Sequence, residues 1–567
     1  MTVAAAEPLA AGLRLSLAPL DYALVIIYFF FVIGIGFALR RLVQTSTDFF
    51  LSGRSLPTWI TGIAFISANL GAIEILSMAA NGAEYGISTV HYYWIGAVPA
   101  MVFLGVVMMP FYYGSRVRSV PEYLLRRFDR KTHLVTALIF VLASVLIAGV
   151  NLYALAFVLE SLLGIPLAIA IIASALFVLS YILLGGLSSA IYNEVMQFFV
   201  ILLALIPVII VVLKETGGIH GLFSKLATQG TAFTHPWNGT SLGGHNPFGD
   251  WIGIVFGLGF CLSFAYWTTN FAEVQRALSA KDLSAAQRTP LIGAYPKIFI
   301  PALTIIPGLI ALAIIPNLGT PKGASYNDAI PLLMGRFLPN GALGIALAGL
   351  LAAFMAGMAA NVSSFNTVFT YDIWQTYIRR GRPDRYYLNV GRVVTVVGIL
   401  IGIGTAFIAS GYSNIMNYIQ LLFSFFNAPL FATFILAMFW KRTTPWSGIA
   451  GLAAGTIGAA AMHFAGYHIA YFYPHQVLDP THVTINAQMV NFYGAIAAFV
   501  ADLVVTVIVT LVTKPKPVSE LAGLVWGVPD PNAPDPASVP KPVWWKSPKL
   551  LGGVALGIVL VLSIIFA

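Results

Sequence analysis

Charge and cysteine are what this chain has least of. Only 9% of its 567 residues are Asp, Glu, Lys or Arg, and there is one cysteine, Cys261. A single cysteine excludes a disulfide framework and any multi-cysteine metal cluster. The nine histidines form no HExxH or comparable helical pair, so the usual mark of a zinc hydrolase is missing. A membrane-embedded enzyme needs a positioned nucleophile–base pair or a metal site, and neither pattern is present. His91, beside Tyr92 and Tyr93 at the start of an apolar run, suits packing or hydrogen bonding. The chain is therefore not read as an enzyme.

What is abundant is apolar length. The chain is 59% hydrophobic with a mean hydropathy of +0.86, which excludes a soluble globular protein. Fourteen runs are candidate membrane spans: 20–42, 56–83, 88–113, 132–161, 166–184, 187–213, 250–275, 289–316, 341–374, 388–409, 413–440, 446–466, 486–513 and 548–567. The first is too long for a cleaved signal peptide and lacks a small-residue cleavage site.

Charge placement orients these spans. With both termini extracytoplasmic, 23 of the 30 basic residues fall in cytoplasmic connections, as the positive-inside rule predicts. They include Arg40, Arg41, the group from Arg116 to Lys131, Arg379 to Arg385, and Lys514 to Lys549. Arg14, Lys214, Lys225, Lys322 and Arg336 fall on the other side. The net charge of +9 is then explained by basic loops facing anionic lipid. No nucleic acid and no obligatory protein partner is implied. The stretch 514–547 is a proline-rich cytoplasmic linker, with Trp544 and Trp545 as interfacial anchors.

Against this background Glu74 and Lys297 stand out as full charges inside apolar spans, a costly placement that usually marks a working cavity. Two spans also carry polar interruptions: Ser67-Ala68-Asn69-Leu70-Gly71 in 56–83, and Ser263 to Asn270 in 250–275. Each is the first of a group of five spans, the arrangement of an inverted-repeat transporter with discontinuous helices at its binding site. Small-residue packing faces are the alternative for these runs. Lys297 could instead snorkel to an interface, Gln420 could be helix-to-helix glue, and Tyr266 and Trp267 could be interfacial aromatics.

The ordered stretches DFFLSGRSLP (48–57), SANLGA (67–72), SVPEYLLRRF (119–128), GGLSSAIYNEVMQ (185–197), YWTTNFAEVQRALSAKD (266–282) and FNTVFTYDIW (365–374) settle the choice of class. Over 48–517 the chain resembles the sodium/solute symporter family, in particular its sodium/sugar cotransporter branch. The resemblance implies an all-α integral membrane protein with 14 transmembrane helices. It implies a LeuT-type five-plus-five inverted repeat with one extra helix before and three after. The segments would be 1–55 (N-terminal segment and extra helix), 56–213 (first repeat), 214–249 (extracellular connection), 250–440 (second repeat) and 441–567 (C-terminal helices). The implied activity is secondary active symport of a small polar solute, a sugar by preference, across the cytoplasmic membrane.

By the same resemblance Asn69, Lys297 and Gln420 match sugar-bonding residues. Tyr266 matches the aromatic that stacks on the pyranose ring and closes the inner gate, with Trp267 beside it. Glu74 stands where sugar members carry a neutral Gln or His, Tyr93 where they carry a Glu, and Gly96 and Ser263 where Ser and Asn are usual. Glu74 can pair with Lys297, recognise a cationic solute, or carry a proton. Sodium, the implied coupling ion, would be held by backbone carbonyls of Ser67, Leu70 and Ala353. Its two hydroxyl ligands map onto Ala356 and Gly357, which offer none, and Asn361 is one turn further on. Glu194 replaces the family's Asp. Proton-coupled or uncoupled transport, and more remotely a solute sensor, remain open at this stage.

Overall fold

Apolar runs of this length leave the backbone one economical way to satisfy its N–H and C=O groups away from water, which is the helix. The computed structural model describes residues 17–39, 45–242, 244–320, 323–412, 414–472, 487–530 and 543–566. Among these there is no strand, only an isolated bridge between Leu56 and Ala280. Eleven helices are long and apolar enough to cross a bilayer, or up to thirteen if each of two sharply bent pairs is one span. The expected run 166–184 appears as the shorter apolar helix Leu167–Ser180. Arg14, Arg40, Arg41, Lys322, Lys541 and linker residues 531–542 lie outside the described residues.

Runs 166–184 and 187–213 are joined in one helical stretch, Leu167–Glu215, interrupted at Gly186 (φ 53°, ψ −148°). Only glycine takes this backbone conformation without strain. A side chain there would also collide with Phe49, whose carbonyl oxygen lies 2.8 Å from the place of a β-carbon.

Both polar interruptions are places where a helix breaks. Thr58–Asn69 stops as Leu70 leaves helical geometry (φ −71°, ψ 49°), and Ala72–Tyr85 restarts after extended Gly71. The two directions differ by 51°. The second break bends Gly253–Thr269 against Phe271–Leu278 by 48°. Its pivot is Asn270 (φ −69°, ψ 112°), whose Oδ1 accepts from the Ala272 N–H at 3.1 Å and so caps the second half.

Neighbouring helices hold these breaks in place. Leu283–Ile314 contains four prolines, at 290, 296, 301 and 307, and packs along both halves of the first broken helix. Ala342–Thr367 lies against the same break and against Arg130–Leu163 and Leu167–Glu215. The first helix, Pro19–Leu39, is tied in by buried Asp21, whose Oδ1 accepts from the Gly341 and Gly344 N–H groups at 2.7 Å each. Those donors belong to a helix N-terminus, where a carboxylate is favoured. The opposite side of Pro19–Leu39 presents Phe30 and Phe31 outward, as a lipid-facing surface does.

Near the C-terminus, Pro445–Phe472 and Ala487–Val512 pack together against Ile415–Phe439. Buried Asp502 ties Ala487–Val512 to Ile415–Phe439 by accepting from Thr433 (2.8 Å), and it also accepts from Thr506 on its own helix (3.1 Å). The last helix, Pro548–Ile565, leans on Leu283–Ile314, where the Tyr295 hydroxyl donates to Leu551 O at 2.9 Å. The connection 214–249 folds over residues 86–91. Ser88 Oγ donates to Pro236 O (2.8 Å), His91 Nε2 lies 3.1 Å from the same oxygen, and the His91 ring packs on Trp237.

Candidate functional site

Lys297 organises the centre of the molecule. It lies midway along Leu283–Ile314 and is 2% exposed, so its ammonium does not reach an interface. Nζ meets Glu74 Oε1 at 2.5 Å and donates also to Asn69 Oδ1. Glu74 begins the second half of the first broken helix and Asn69 ends the first half. One cation thus spans the break. The ammonium also stands over the Tyr93 ring at 5.0 Å and the Trp267 ring at 5.3 Å, where each π-face attracts a positive charge.

The network continues across the second broken helix. Asn69 Nδ2 donates to the Tyr266 hydroxyl at 2.9 Å, and that hydroxyl donates to Glu273 Oε1 at 2.6 Å. Glu74, Lys297, Asn69, Tyr266 and Glu273 therefore form one polar chain that touches both breaks. Tyr266 packs its ring against Phe423 (centroids 4.9 Å) and edge-on to Trp267 (5.2 Å). Tyr93 is anchored by a 2.9 Å bond between its hydroxyl and Thr304.

These groups surround a cavity of about 130 Å³. A single water needs roughly 10–15 Å³, so the space has room for a small solute. Asn69, Glu74, Tyr93, Ser263, Tyr266, Trp267, Lys297 and Gln420 all line it. Gln420 enters from Ile415–Phe439. Its Nε2 meets the Tyr92 hydroxyl as well as the Met416 sulfur at 3.5 Å, and Oε1 accepts no bond among the described residues. That oxygen awaits a partner, since a buried polar atom left unbonded costs about 1–3 kcal/mol.

The residues singled out for sodium gather where the first break meets Ala342–Thr367. Gly357 and Asn361 line the cavity, while Ser67, Leu70, Ala353 and Ala356 are buried beside it. The Gly71 N–H turns to Asn69 O at 2.6 Å. In an unbroken helix it would bond Ser67 O, so the break releases that carbonyl. Gly71 also approaches the facing helix closely. A β-carbon on it would lie 3.4 Å from Gly357 Cα and 3.5 Å from Ala353 O. The released Ser67 carbonyl, at a break set against Ala342–Thr367, suits a hard cation, which takes oxygen ligands. No cluster of three or more His, Cys, Asp or Glu that could hold a metal ion occurs among the described residues.

Sequence reasoning passed over Glu273 and Asn151. Glu273 is 2% exposed, with Oε2 free of partners among the described residues. Its signal was a carboxylate in the mostly apolar run from Phe271 to Leu278. Asn151 is the one amide inside Arg130–Leu163, and it lines the cavity. Below the site, buried Arg276 pairs with Glu194, Nε to Oε2 at 3.2 Å with a second closer contact, and donates to Ala272 O at 2.7 Å. The Glu at 194 is thus charge-matched within the fold.

Comparison with known proteins gives this geometry a family. The model described as "Sodium:solute symporter family" matches residues 49–455. A sodium/glucose cotransporter of Vibrio parahaemolyticus is 30% identical over 465 residues, covering 78% of this chain and 85% of that protein. A sodium/myo-inositol cotransporter 2 of Sus scrofa is 29% identical over 485 residues, 80% of this chain and 71% of that protein. Among solved structures, a Na+-coupled sialic acid symporter in its substrate-bound outward-open state superposes with a TM-score of 0.72 at 20% identity. The match covers 88% of this chain and 99% of that one. Mhp1, a nucleobase-cation-symport-1 family transporter in a closed conformation, gives 0.51 at 14% identity, over 85% and 99%. At such identities the structures speak for the fold alone, which is that of this class of transporter. The family match spans most of the chain and both helix breaks: the protein belongs to the sodium:solute symporter family and is a sodium-coupled solute symporter of the membrane.

Proposed function

We propose that the solute is a neutral monosaccharide or cyclic polyol, moved inward across the cytoplasmic membrane by alternating access. The observation that carries this reading is the makeup of the cavity wall. Hydrogen-bonding groups of both kinds (Lys297, Glu74, Asn69, Gln420) face the aromatic plates of Tyr266, Trp267 and Tyr93. A sugar ring presents hydroxyls that need donors and acceptors, and an apolar C–H face that packs on an aromatic. Of the residues that line the cavity, Glu74 and Lys297 offset each other, so the lining has no net charge with which to select a charged solute. The names of the relatives, glucose and myo-inositol cotransporters, agree with this class.

In this reading Asn69, Glu74, Ser263, Lys297 and Gln420 bond the solute, and Tyr266 is the gate. Sodium, as co-substrate, would be held by carbonyls of Ser67, Leu70 and Ala353. Leu167–Ser180 counts as the fourteenth span. The repeats run over 56–213 and 250–440, and both termini lie on the extracytoplasmic side. Proton coupling is a second reading, favoured by one observation: Glu74 and Glu273 are two buried carboxylates on a polar chain with one cation, Lys297. The deciding experiment is uptake into proteoliposomes of labelled glucose, galactose and myo-inositol, against proline and a cationic amine. A sodium gradient is compared with a proton gradient. Accumulation of a sugar or polyol under the sodium gradient alone is expected. Accumulation of only the amine or amino acid would reject the solute class.

A further inference from the structure

The cation site at the first break lacks the side-chain oxygens that positions 356 and 357 would supply as serines. Its backbone share lies where the break meets Ala342–Thr367: a β-carbon on Gly71 would sit 3.4 Å from Gly357 Cα and 3.5 Å from Ala353 O. The side-chain share comes from elsewhere. A β-carbon built on Gly357 would meet Asn151 Oδ1 at 2.7 Å. The space that a serine side chain at position 357 would fill thus holds the amide oxygen of a residue on a different helix, Arg130–Leu163. Asn151 is 2% exposed and lines the cavity. Its Nδ2 donates to Ile147 O at 3.1 Å, one turn back on its own helix, which turns Oδ1 toward Gly357. Asn361 is placed differently: it sits a turn beyond Gly357 and spends its Nδ2 on Gly357 O at 2.9 Å.

We propose that Asn151 Oδ1 is the side-chain ligand of the sodium site, standing in for the hydroxyls absent at Ala356 and Gly357. The inference rests on the sodium-coupled reading. An amide oxygen is a hard, neutral donor suited to an alkali cation, and it would join the carbonyls of Ser67, Leu70 and Ala353. A bare glycine at 357 then has a function: it makes room for the amide. Sodium binding would in this way draw together three helices, one of them, Arg130–Leu163, outside the usual pair.

The test compares the parent protein with Asn151→Ala, Asn151→Asp, Gly357→Ser and the double variant Asn151→Ala/Gly357→Ser. Two readouts are taken on the full chain. One is the sodium-induced rise in melting temperature without solute, with potassium as control. The other is the sodium concentration giving half-maximal uptake. Asn151→Ala should raise the half-saturating sodium in both by at least about tenfold, as loss of one contact to an ion implies, with solute affinity at saturating sodium nearly unchanged. Gly357→Ser alone should weaken sodium binding, because the hydroxymethyl group crowds Oδ1. The double variant should recover to within about threefold of the parent, since the serine enters the vacated space. Asn151→Asp is isosteric and keeps the test open if the alanine variant does not fold. It should tighten sodium binding at neutral pH. Unchanged sodium half-saturation in Asn151→Ala or in Asn151→Asp, with a sodium-responsive parent, refutes the role of Asn151. A parent with no response to sodium in either readout refutes instead the sodium coupling on which it rests.

Discussion

Replacing Lys297 by methionine removes the one positive charge from a buried pair whose side chains are 3% and 10% exposed. The change leaves the Glu74 carboxylate facing a neutral thioether. Breaking a buried ion pair by deleting one partner typically costs about 3–5 kcal/mol, because the remaining charge stays desolvated. The two cation–π contacts with Tyr93 and Trp267 are lost too, at about 0.5–2 kcal/mol each. Met is close to Lys in length, so packing changes little. The double variant Lys297→Met/Glu74→Gln no longer strands the Glu74 charge, and removing both charges of a buried pair costs far less than removing one. The expected order of melting temperature in detergent is therefore parent, then the double variant close behind, then Lys297→Met well below. Uptake follows a different order. Both variants lose the ammonium proposed to bond the solute, a charge-assisted contact of about 1.5–3 kcal/mol, so solute affinity should fall about ten- to a hundredfold in each. If Lys297→Met and the double variant melt together, the two charges are energetically independent. If either retains full solute affinity, Lys297 does not touch the solute.

Tyr266→Phe keeps the ring but deletes the hydroxyl between Asn69 and Glu273; solute affinity should change by less than about threefold, while sodium-independent solute leak from loaded vesicles rises, and an unchanged leak removes the gate assignment. Glu74→Gln should preserve some uptake and its sodium dependence if the solute is a neutral sugar. Loss of accumulation with exchange retained would instead make Glu74 a proton carrier. Gln420→Ala should weaken solute binding about five- to thirteenfold, the equivalent of one neutral hydrogen bond of about 1–1.5 kcal/mol, with melting temperature held, and normal affinity would place the solute elsewhere. On the connection before Arg130–Leu163, burial by itself would raise the Glu122 carboxyl. The Arg118 guanidinium and backbone N–H, together with Arg126, more than reverse this, and Glu122 is held below the usual glutamate range. A depressed carboxyl stabilises the fold above its unfolded pKa of about 4.3. That contribution is lost as pH falls through the lower folded value, so the parent should lose more stability below pH ~4.5 than Glu122→Gln does.

Much of this fold was legible because a bilayer-sized helix writes itself as a run of about 20 apolar residues, and because exceptions inside such runs are few. Ser67 to Gly71 and Ser263 to Asn270 were visible as polar interruptions, and both are helix breaks. Lys297 and Glu74 were visible as charges with nowhere soluble to go, and they are bonded to each other. The division of Leu167–Glu215 was legible only in part. Composition fills both halves with helix formers, and the break depends on one torsion at Gly186 and on Phe49 arriving from 137 residues earlier. Glu273 was hidden for a related reason. In sequence it sits near Arg276, the obvious partner, whereas in the fold Arg276 is taken by Glu194 and Glu273 turns to Tyr266.

The ion site proposed at the first break illustrates why a missing residue type is weak ground for a missing function. Read along one helix, Ala356 and Gly357 look like two lost ligands. A cation, however, samples oxygens in space and not in sequence, and the loss of a β-carbon at 357 is what lets an amide from Arg130–Leu163 come within reach. Gly71 and Gly357 lie close together where the broken helix packs against Ala342–Thr367. A serine at 357 would compete with the amide and not with the broken helix, since its β-carbon would lie 3.6 Å from Gly71 Cα, an ordinary contact. In a close-packed interior a ligand and the space it needs are specified by different residues. The pair Asn151 and Gly357 is accordingly the unit to exchange, and either residue changed alone should do worse than both together.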